Sequence, residues 1–381
     1  MKRVFEMKTV GIICEYNPFH NGHLRQLQLI REHYGQDTAI VCLMSGNFVQ
    51  RGAPAILDKT IRAKAAVLSG ADLVLELPVG IALSSAEGFA AGGVAILSHC
   101  CDALCFGTET MNADALLQTA RALRAPDFPR LLKEALAQGS SFPAARQTAL
   151  LKMGLTGNFS NPNDILGIEY TKAVLDQGSR LELYPVAREG SYHAKDATPD
   201  APSATAVRRQ LLSGCAWRDS VPANTAALLK SAPLHTPEAG ERAIVARLRT
   251  MADAEFAALP YGSEGLWRKL MKASRTCSGL PSIIDATKSK RYTRTRIDRM
   301  ILCAFLGLKQ EDIGRIPPLI RILAFTGRGR SILRNHPEFR NAGEDVTEEE
   351  ARLGSLYGLF CIDGIEPPDI EKRRRVFYLK E

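Results

Sequence analysis

Short apolar runs alternate with amphipathic stretches through the first half of the chain. Val10 to Cys14 is a continuous apolar run closed by turn residues, and Leu24, Leu27 and Ile30 then recur at helical spacing, so the pattern predicts strand, loop, helix. Further strands are expected at Thr38 to Met44, Asp72 to Val79, Ala103 to Phe106 and Leu181 to Ala187. Helices are expected over Asp58 to Leu68, Ser84 to Leu97, Ala113 to Leu123 and Pro129 to Gln138, and from Ile165 onward. Strands alternating with helices imply a parallel sheet covered on both faces, an α/β fold of Rossmann-like type. From about Pro222 the pattern changes to helices alone: Ala239 to Met251, Glu264 to Arg275 and Thr293 to Leu306 carry the helical period, after a linker holding Pro222, Pro233 and Pro237. The chain is therefore expected to divide into an α/β domain over residues 1–217 and a mainly helical domain over 218–381.

Charge changes the picture of the second half. The formal net charge is +8, yet between Ser263 and Arg334 sixteen Lys or Arg stand against five Asp or Glu, a local excess of +11 that exceeds the total. A basic concentration of that kind expects a polyanion. In the segment Thr287 to Arg299 the cations Lys288, Lys290, Arg291, Arg294, Arg296 and Arg299 surround Tyr292. Phosphate contacts beside a stacking-capable aromatic suit an unstacked base, as RNA loops are read; a solvated basic helix face is the alternative. Lys372-Arg373-Arg374-Arg375 would alone be a weak tail signal.

Other classes drop out. No apolar run approaches the ~18 residues that a bilayer span needs, and the charged opening M-K-R-V-F-E-M-K-T lacks a signal-peptide apolar region. A cytoplasmic protein with no membrane partner is expected. Nine cysteines are scattered without a C-x-x-C pair, which argues against a disulfide framework and a zinc knuckle. Cys100, Cys101 and Cys105, around a predicted strand, are expected to be buried thiols.

The candidate chemistry lies in the loop after the first strand, which carries His20-Asn21-Gly22-His23. A strand that turns onto a helix N-terminus aims backbone N–H groups and the positive end of the helix dipole at one spot, which favours a phosphate. Gly22 lets a ligand approach the backbone. Two imidazoles can donate to charge developing on a phosphate without the fixed charge of Lys or Arg. A capping or surface role is the plainer reading of either His, and a metal site would need a third ligand that the pattern does not supply.

Other residues fall at the carboxyl ends of predicted strands, where ligands of open parallel sheets bind. The loop Ser45 to Gly52 is one such place, and Gly107 is another, as a turn residue or a point of ligand approach. Asn163 and Asp164, in N-P-N-D, include a helix cap on the plain reading, and Arg188 follows the strand ending at Ala187. Ser203, Thr205 and Arg208 at a helix start could hold β- and γ-phosphates, or be an N-cap and a solvated Arg. No G-x-G-x-x-G or G-K-[ST] competes with the histidine loop.

The loop E-Y-N-P-F-H-N-G-H resembles the signature of nucleotidyltransferases and class I aminoacyl-tRNA synthetases. With F-G-T-E at Phe106 to Glu109, N-P-N-D-I-L-G-I-E-Y at Asn161 to Tyr170, and R-Y-T-R-T-R-I at 291–297, the chain resembles the bacterial tRNA(Met) cytidine acetate ligase family over nearly its whole length. That resemblance implies a nucleotidyltransferase-like catalytic domain over 1–217 and a tRNA-binding domain over 218–381. It implies an ATP site of Ile13, Cys14, Glu15, Tyr16, Asn17, Pro18, Phe19, His20, Asn21, Gly22, His23, Leu24, Arg25 and Gln26, with Gly107, Asn163 and Arg188. Acetate would become acetyl-adenylate with release of pyrophosphate, and the wobble cytidine of elongator methionine tRNA would become N4-acetylcytidine. His20, His23 and Asn17 are then suited to stabilise the first step, Mg²⁺ is expected with ATP, and no protein partner or metal-ligating residue is implied. In the hydroxyl segment Ala204 stands where a second serine is common in nucleotidyltransferases. A cofactor adenylyltransferase acting on a small phosphate is one alternative; a non-catalytic RNA-binding protein that senses ATP is another.

Overall fold

The structure is a computed structural model that describes residues 7–157, 159–187, 202–289, 292–341 and 346–380. Its strands are β1 (Thr9–Cys14), β2 (Ala39–Ser45), β3 (Phe48–Val49), β4 (Ala53–Pro54), β5 (Leu73–Leu77), β6 (Ala103–Thr108), β7 (Glu182–Ala187), β8 (Ile320–Phe325), β9 (Phe339–Asn341) and β10 (Phe377–Tyr378). Strands β5, β2, β1, β6 and β7 lie side by side in that order and run parallel. The chain therefore winds outward from β1 in one direction, returns, and winds outward in the other. The reversal falls between β1 and β6, and the crevice outside their carboxyl ends is where such sheets bind ligands.

Alternation along the strands explains why both faces carry helices. Ala39, Val41 and Leu43 of β2 join one core with Phe89 and Val94 of the helix Ala86–Leu97 and Ile168 of the helix Pro162–Asp176. Ile40, Cys42 and Met44 face the opposite core, with Leu27 and Ile30 of the helix Asn21–Tyr34 and Ala63, Ala66 and Val67 of the helix Lys59–Leu68. A third core gathers the helices Glu241–Thr250, Leu266–Thr276, Leu280–Thr287 and Arg294–Leu306 around Tyr357 and Phe360. Among the described residues no helix is long and apolar enough to cross a membrane.

Helices alone was the expectation after Pro222, and here the structure differs. Strand β8 returns to the sheet and pairs antiparallel with β5, while β9 and β10 pair with β8. The run Ile320-Arg321-Ile322-Leu323-Ala324-Phe325 is apolar except for Arg321, and that one charge breaks the signature of a buried strand. In the fold Arg321 is buried inside an ion network. The division expected at 217/218 thus places three strands beyond the boundary from the sheet they complete.

That network joins both ends of the chain. Lys59 Nζ lies 2.8 Å from carboxylate oxygens of both Glu76 and Glu371. Arg321 pairs with Glu371, and Arg374 pairs with Glu371 and Asp58. Three cations face three carboxylates, and all but Glu76 are nearly inaccessible to water. Arg374, within the basic run that reads as a weak tail signal, is therefore a buried structural cation. The Arg374 guanidinium and Thr60 hold Asp58 below the usual carboxylate range against the opposing effect of burial. Glu371→Gln should leave an uncompensated buried positive charge and lower the unfolding free energy by about 3–5 kcal/mol, since breaking a buried ion network costs far more than the network is worth against apolar groups. Denaturant unfolding with a wild-type midpoint would contradict this placement.

Candidate active site

Strand β1 ends in a buried turn. Tyr16 takes φ 45°, a left-handed conformation rare for a bulky residue, and its ring is buried against Phe19 and His23 with centroids 4.8 Å from each. The chain then enters the helix Asn21–Tyr34 with His20 as its N-cap. Gly22 N–H donates to His20 Nδ1 at 3.1 Å, and His20 N–H donates to His23 Nδ1 at 3.2 Å. The two rings stack with centroids 3.7 Å apart. Because both Nδ1 atoms accept from backbone, a neutral ring carries its proton on Nε2, and both histidines are set as Nε2–H donors. The capping role of His20 and a donor role are thus compatible. A Cβ on Gly22 would stand 3.1 Å from the His20 ring, so a larger residue would crowd that ring.

Both histidines line a cavity of about 520 Å³ at the crevice between β1 and β6. Of the expected loop residues, Ile13, Cys14, Glu15, Tyr16, Asn17, His20, Gly22, His23, Arg25 and Gln26 line it. Pro18, Phe19, Asn21 and Leu24 are not among the lining residues: Phe19 is buried, Asn21 Nδ2 donates to Asp219 O at 2.8 Å, and Leu24 packs on the core. Asn17 Oδ1 accepts from Ile56 N–H at 2.8 Å, so its amide nitrogen is the end suited to donate. Gly107, in β6, also lines the cavity, and an added Cβ there would meet nothing within 4 Å. Neither a turn nor packing requires glycine at that point, which favours the ligand-approach reading.

The hydroxyl segment arrives at the same place. Ser203 caps the helix Ala204–Ser213 through Ala206 N–H at 3.1 Å, Arg208 Nη1 donates to Asn17 O at 2.6 Å, and Arg208 Nη2 donates to Thr205 Oγ1 at 3.1 Å. All three line the cavity. Burial presses the pKa of Arg208 down while the Glu15 carboxylate opposes it. With Arg25 and Arg51 also in the lining, the wall is rich in cations, and its carboxylates are Glu15 and Glu238. Glu15 Oε1 accepts from Gln50 N–H at 2.9 Å. Arg188 lies outside the described residues.

Comparison with known proteins fits this geometry. The family model described as HIGH Nucleotidyl Transferase matches residues 7–342. A tRNA(Met) cytidine acetate ligase of Alkaliphilus metalliredigens is 37% identical over 361 residues, 86% of this chain and 85% of that protein. The namesake of Clostridium tetani is also 37% identical, over 352 residues, 86% of this chain and 87% of its own. The chain belongs to the tRNA(Met) cytidine acetate ligase family. TmcAL of Thermotoga maritima, in an apo crystal form, superposes with a TM-score of 0.90 at 28% identity, covering 98% of this chain and all of that one. The same protein bound with alpha-thio ATP superposes with a TM-score of 0.87 over the same shares.

In this member of the ligase family neither Asn163 nor Asp164 of the N-P-N-D motif is the helix cap that was expected. Pro162 takes the first helical position and Asn161 is the N-cap residue. Asn163 Nδ2 donates to Glu109 Oε1 at 2.9 Å. Asp164 is buried and accepts from Glu109 N–H at 2.8 Å, Thr110 Oγ1 at 2.6 Å and Asn161 Nδ2 at 3.1 Å. Asn163 lines the cavity, so the motif clamps the chain leaving β6 beside Gly107.

The expected RNA residues fare unevenly. Tyr292 is buried in the helical core, its hydroxyl donating to Glu264 O at 2.8 Å, so its ring is closed to a base. Arg296 lies over that ring and donates to Tyr261 O and Ser263 Oγ, and Arg299 donates to Gln50 O at 3.3 Å. Both guanidiniums hold loops, and Arg299 joins the helical core to the cavity wall. Lys288 and Arg294 are exposed, Arg294 paired with Asp298 at 2.8 Å. Lys290 and Arg291 lie outside the described residues. Tyr292 misled because the basic residues around it hid its membership of the apolar face that precedes Ile297 and Met300.

Other lining residues carried no usable pattern. Residues 235–238, in the expected linker, form part of the cavity wall. Of the thiols expected to be buried around β6, Cys100 and Cys105 are buried and Cys101 is half-buried; burial pushes Cys105 up to about 12.

For Asp164, burial alone would raise the pKa, but the donors from Thr110, Glu109 and Asn161 hold it below the usual value. Asp164→Asn should therefore lower the unfolding free energy at neutral pH by about 1.5–3 kcal/mol, the range for bonds to a charged group. A depressed folded pKa gives stability that is complete above the unfolded pKa of about 3.9 and is lost as pH falls through the folded value. Urea unfolding at pH 7 and at about pH 3 should show the difference between wild type and variant closing on acidification; an undiminished difference would count against a charged Asp164.

Proposed function

We propose that this chain is an ATP-dependent acetate ligase of the cytoplasm that forms acetyl-adenylate and then acetylates the wobble cytidine of elongator methionine tRNA to N4-acetylcytidine. The observation that carries the reading is the stacked His20–His23 pair, its Nδ1 atoms tied to backbone, at a helix N-terminus facing the β1–β6 crevice. The names of the relatives supply the substrates.

ATP fits the cavity by shape and charge. Open space over Gly107 admits the nucleoside, the helix start and the histidines suit the α-phosphate, and Ser203, Thr205 and Arg208 suit the β- and γ-phosphates. In the first step an acetate oxygen attacks the α-phosphorus, a P–O bond forms, and the bond to the departing pyrophosphate breaks. Charge builds on the oxygens at both ends, so the protein needs donors, and His20, His23 and Asn17 supply them. In the second step the exocyclic nitrogen of cytosine attacks the acetyl carbonyl, AMP departs with the former acetate oxygen, and the nitrogen loses a proton. Cytosine nitrogen is a weak nucleophile, so positioning of an unstacked base supplies most of the rate. Mg²⁺ bound with ATP would be held chiefly by phosphate oxygens and water, as is usual with nucleotides, and would neutralise charge on the departing pyrophosphate.

Incubating the protein with ATP and labelled acetate, with and without tRNA, tests the reading. Acetyl-adenylate without tRNA and acetylated cytidine with it are expected. Transfer of AMP to a small phosphate instead, or ATP binding with no product, would replace the ligase by an adenylyltransferase or a sensor.

Because the histidines act mainly on charge present in the transition state, His23→Ala and His20→Asn should each slow adenylate formation by on the order of 10²-fold while ATP binding weakens less. Asn is used at position 20 because it keeps a capping acceptor. Single-turnover kinetics and calorimetry would separate the two effects, and unchanged turnover in either variant would sink the donor role.

With Tyr292 buried, the exposed cations of the helix Leu266–Thr276 become the better candidates for tRNA phosphates. Arg268, Lys269 and Lys272 are exposed, and the spacings of three and four residues put Lys272 beside both others on the helix surface. Charge reversal at these three should weaken tRNA binding and leave acetyl-adenylate synthesis intact. For every phosphate that no longer meets a cation, the log–log salt slope of binding should also fall by roughly 0.7–0.9. An unchanged slope in filter binding would remove this helix from the tRNA surface.

A further inference from the structure

Behind the cavity wall formed by residues 235–238 lies a second cluster that the proposed reaction does not use. His235 forms an antiparallel bridge with Cys361. Cys361 opens a tight turn, Cys361-Ile362-Asp363-Gly364, in which Gly364 takes φ 126°. Glu366 follows, with a carboxylate oxygen 3.0 Å from His235 Nε2. One donor atom from each of the three residues lies within 4.8 Å of the other two. The His235 ring is buried against Tyr357, with centroids 4.0 Å apart, and its Nδ1 has no hydrogen-bond partner among the described residues.

We infer that His235, Cys361 and Glu366 form a binding site for one divalent cation of the zinc class, with water or a small ligand completing its coordination. An imidazole, a thiolate and a carboxylate make a donor set of mixed softness that suits zinc and excludes magnesium, which demands oxygen ligands. A tetrahedral ion with ordinary zinc bond lengths sets its donors roughly 3.3–3.6 Å apart. In the structure His235 Nε2 and the Glu366 oxygen are 3.0 Å apart and all three donor atoms fall within 4.8 Å of one another, a span that brackets this spacing. On binding, the Cys361 S–H bond breaks, its proton goes to solvent and the sulfur–metal bond forms.

The two positive charges of the ion balance one thiolate and one carboxylate. The site would cross-link the 235–238 wall of the cavity to the turn after Phe360, two segments far apart in sequence. It is separate from the magnesium expected on ATP, and its formation does not depend on the proposed reaction.

Cobalt(II) provides the test, because a tetrahedral thiolate site gives it a near-ultraviolet sulfur-to-metal charge-transfer band and strong visible absorption. Full-length protein, stripped by chelator and titrated with Co²⁺ in excess Mg²⁺ without ATP, should bind one ion per chain with both signatures. Zn²⁺ should bleach them. Cys361→Ser should lose the charge-transfer band, and Glu366→Gln, which leaves the sulfur in place, should retain that band with weaker cobalt affinity. Circular dichroism would confirm that each variant is folded. Folded wild-type protein that takes up no stoichiometric cobalt, an unaltered band in folded Cys361→Ser, or wild-type affinity in folded Glu366→Gln would each overturn the site.

Discussion

A guanidinium buried beneath the candidate active site holds the surrounding chain in place. Arg62 is almost fully buried, and its partners are backbone carbonyls: Nε donates to Leu57 O at 2.9 Å, Nη1 to Glu15 O at 2.6 Å and Ser45 O at 3.0 Å, and Nη2 to Gly46 O. Burial presses its pKa down, opposed by Tyr357, Asp58 and Glu15, and an arginine stays protonated in that setting. The consequence is electrostatic as well as mechanical. Carbonyl oxygens at the carboxyl ends of parallel strands would repel a phosphate, and Arg62 engages those that follow β1 and β2. What remains for a ligand at this edge is the positive end of a helix and two imidazole donors. Lysine, with a compact ammonium, could not reach four carbonyls in a planar fork.

The same constraint connects the two halves of the chain. The loop that Arg62 pins at Ser45 and Gly46 continues through Gln50, which accepts from Arg299, and through Gly52, whose φ of 77° and contact with the Arg299 backbone leave no room for a side chain. Tyr357 donates to Ala55 O at 2.9 Å from the other side. The helical core therefore abuts the wall of the cavity. Strand β8 and the network of Lys59, Arg321 and Arg374 tie the two halves through the sheet as well as through packing.

Local periodicity revealed β1 and the helix after it, because Val10 to Cys14 and Leu24, Leu27 and Ile30 are unambiguous, and the same holds for the strands expected at Thr38 to Met44, Asp72 to Val79, Ala103 to Phe106 and Leu181 to Ala187. The histidine loop stood out as a candidate site because its chemistry is compressed into four consecutive residues. Strand β8 was not, since Arg321 looks like a surface charge until Glu371, fifty residues on, is known to meet it. Arg62 was hidden for a related reason: on an amphipathic helix one arginine reads as a solvated residue, and no local pattern announces four carbonyl partners. Tyr292 erred in the opposite sense, its basic neighbours suggesting exposure while its ring closes the helical core. Long-range electrostatics and side-chain direction are the quantities that a linear reading lacks.

In the proposed function the α-phosphate of ATP meets the Nε2 edges of the stacked His20–His23 pair at the start of the helix Asn21–Tyr34. A crystal structure of this protein with a non-hydrolysable ATP analogue tests it most directly. Expected are α-phosphate oxygens within hydrogen-bonding distance of Nε2 of both histidines, the nucleoside against Gly107, and the outer phosphates beside Ser203, Thr205 and Arg208. A nucleotide bound with its α-phosphate away from both imidazoles, or with its base in place of its phosphates at the helix start, would rule out that donor role for the histidines.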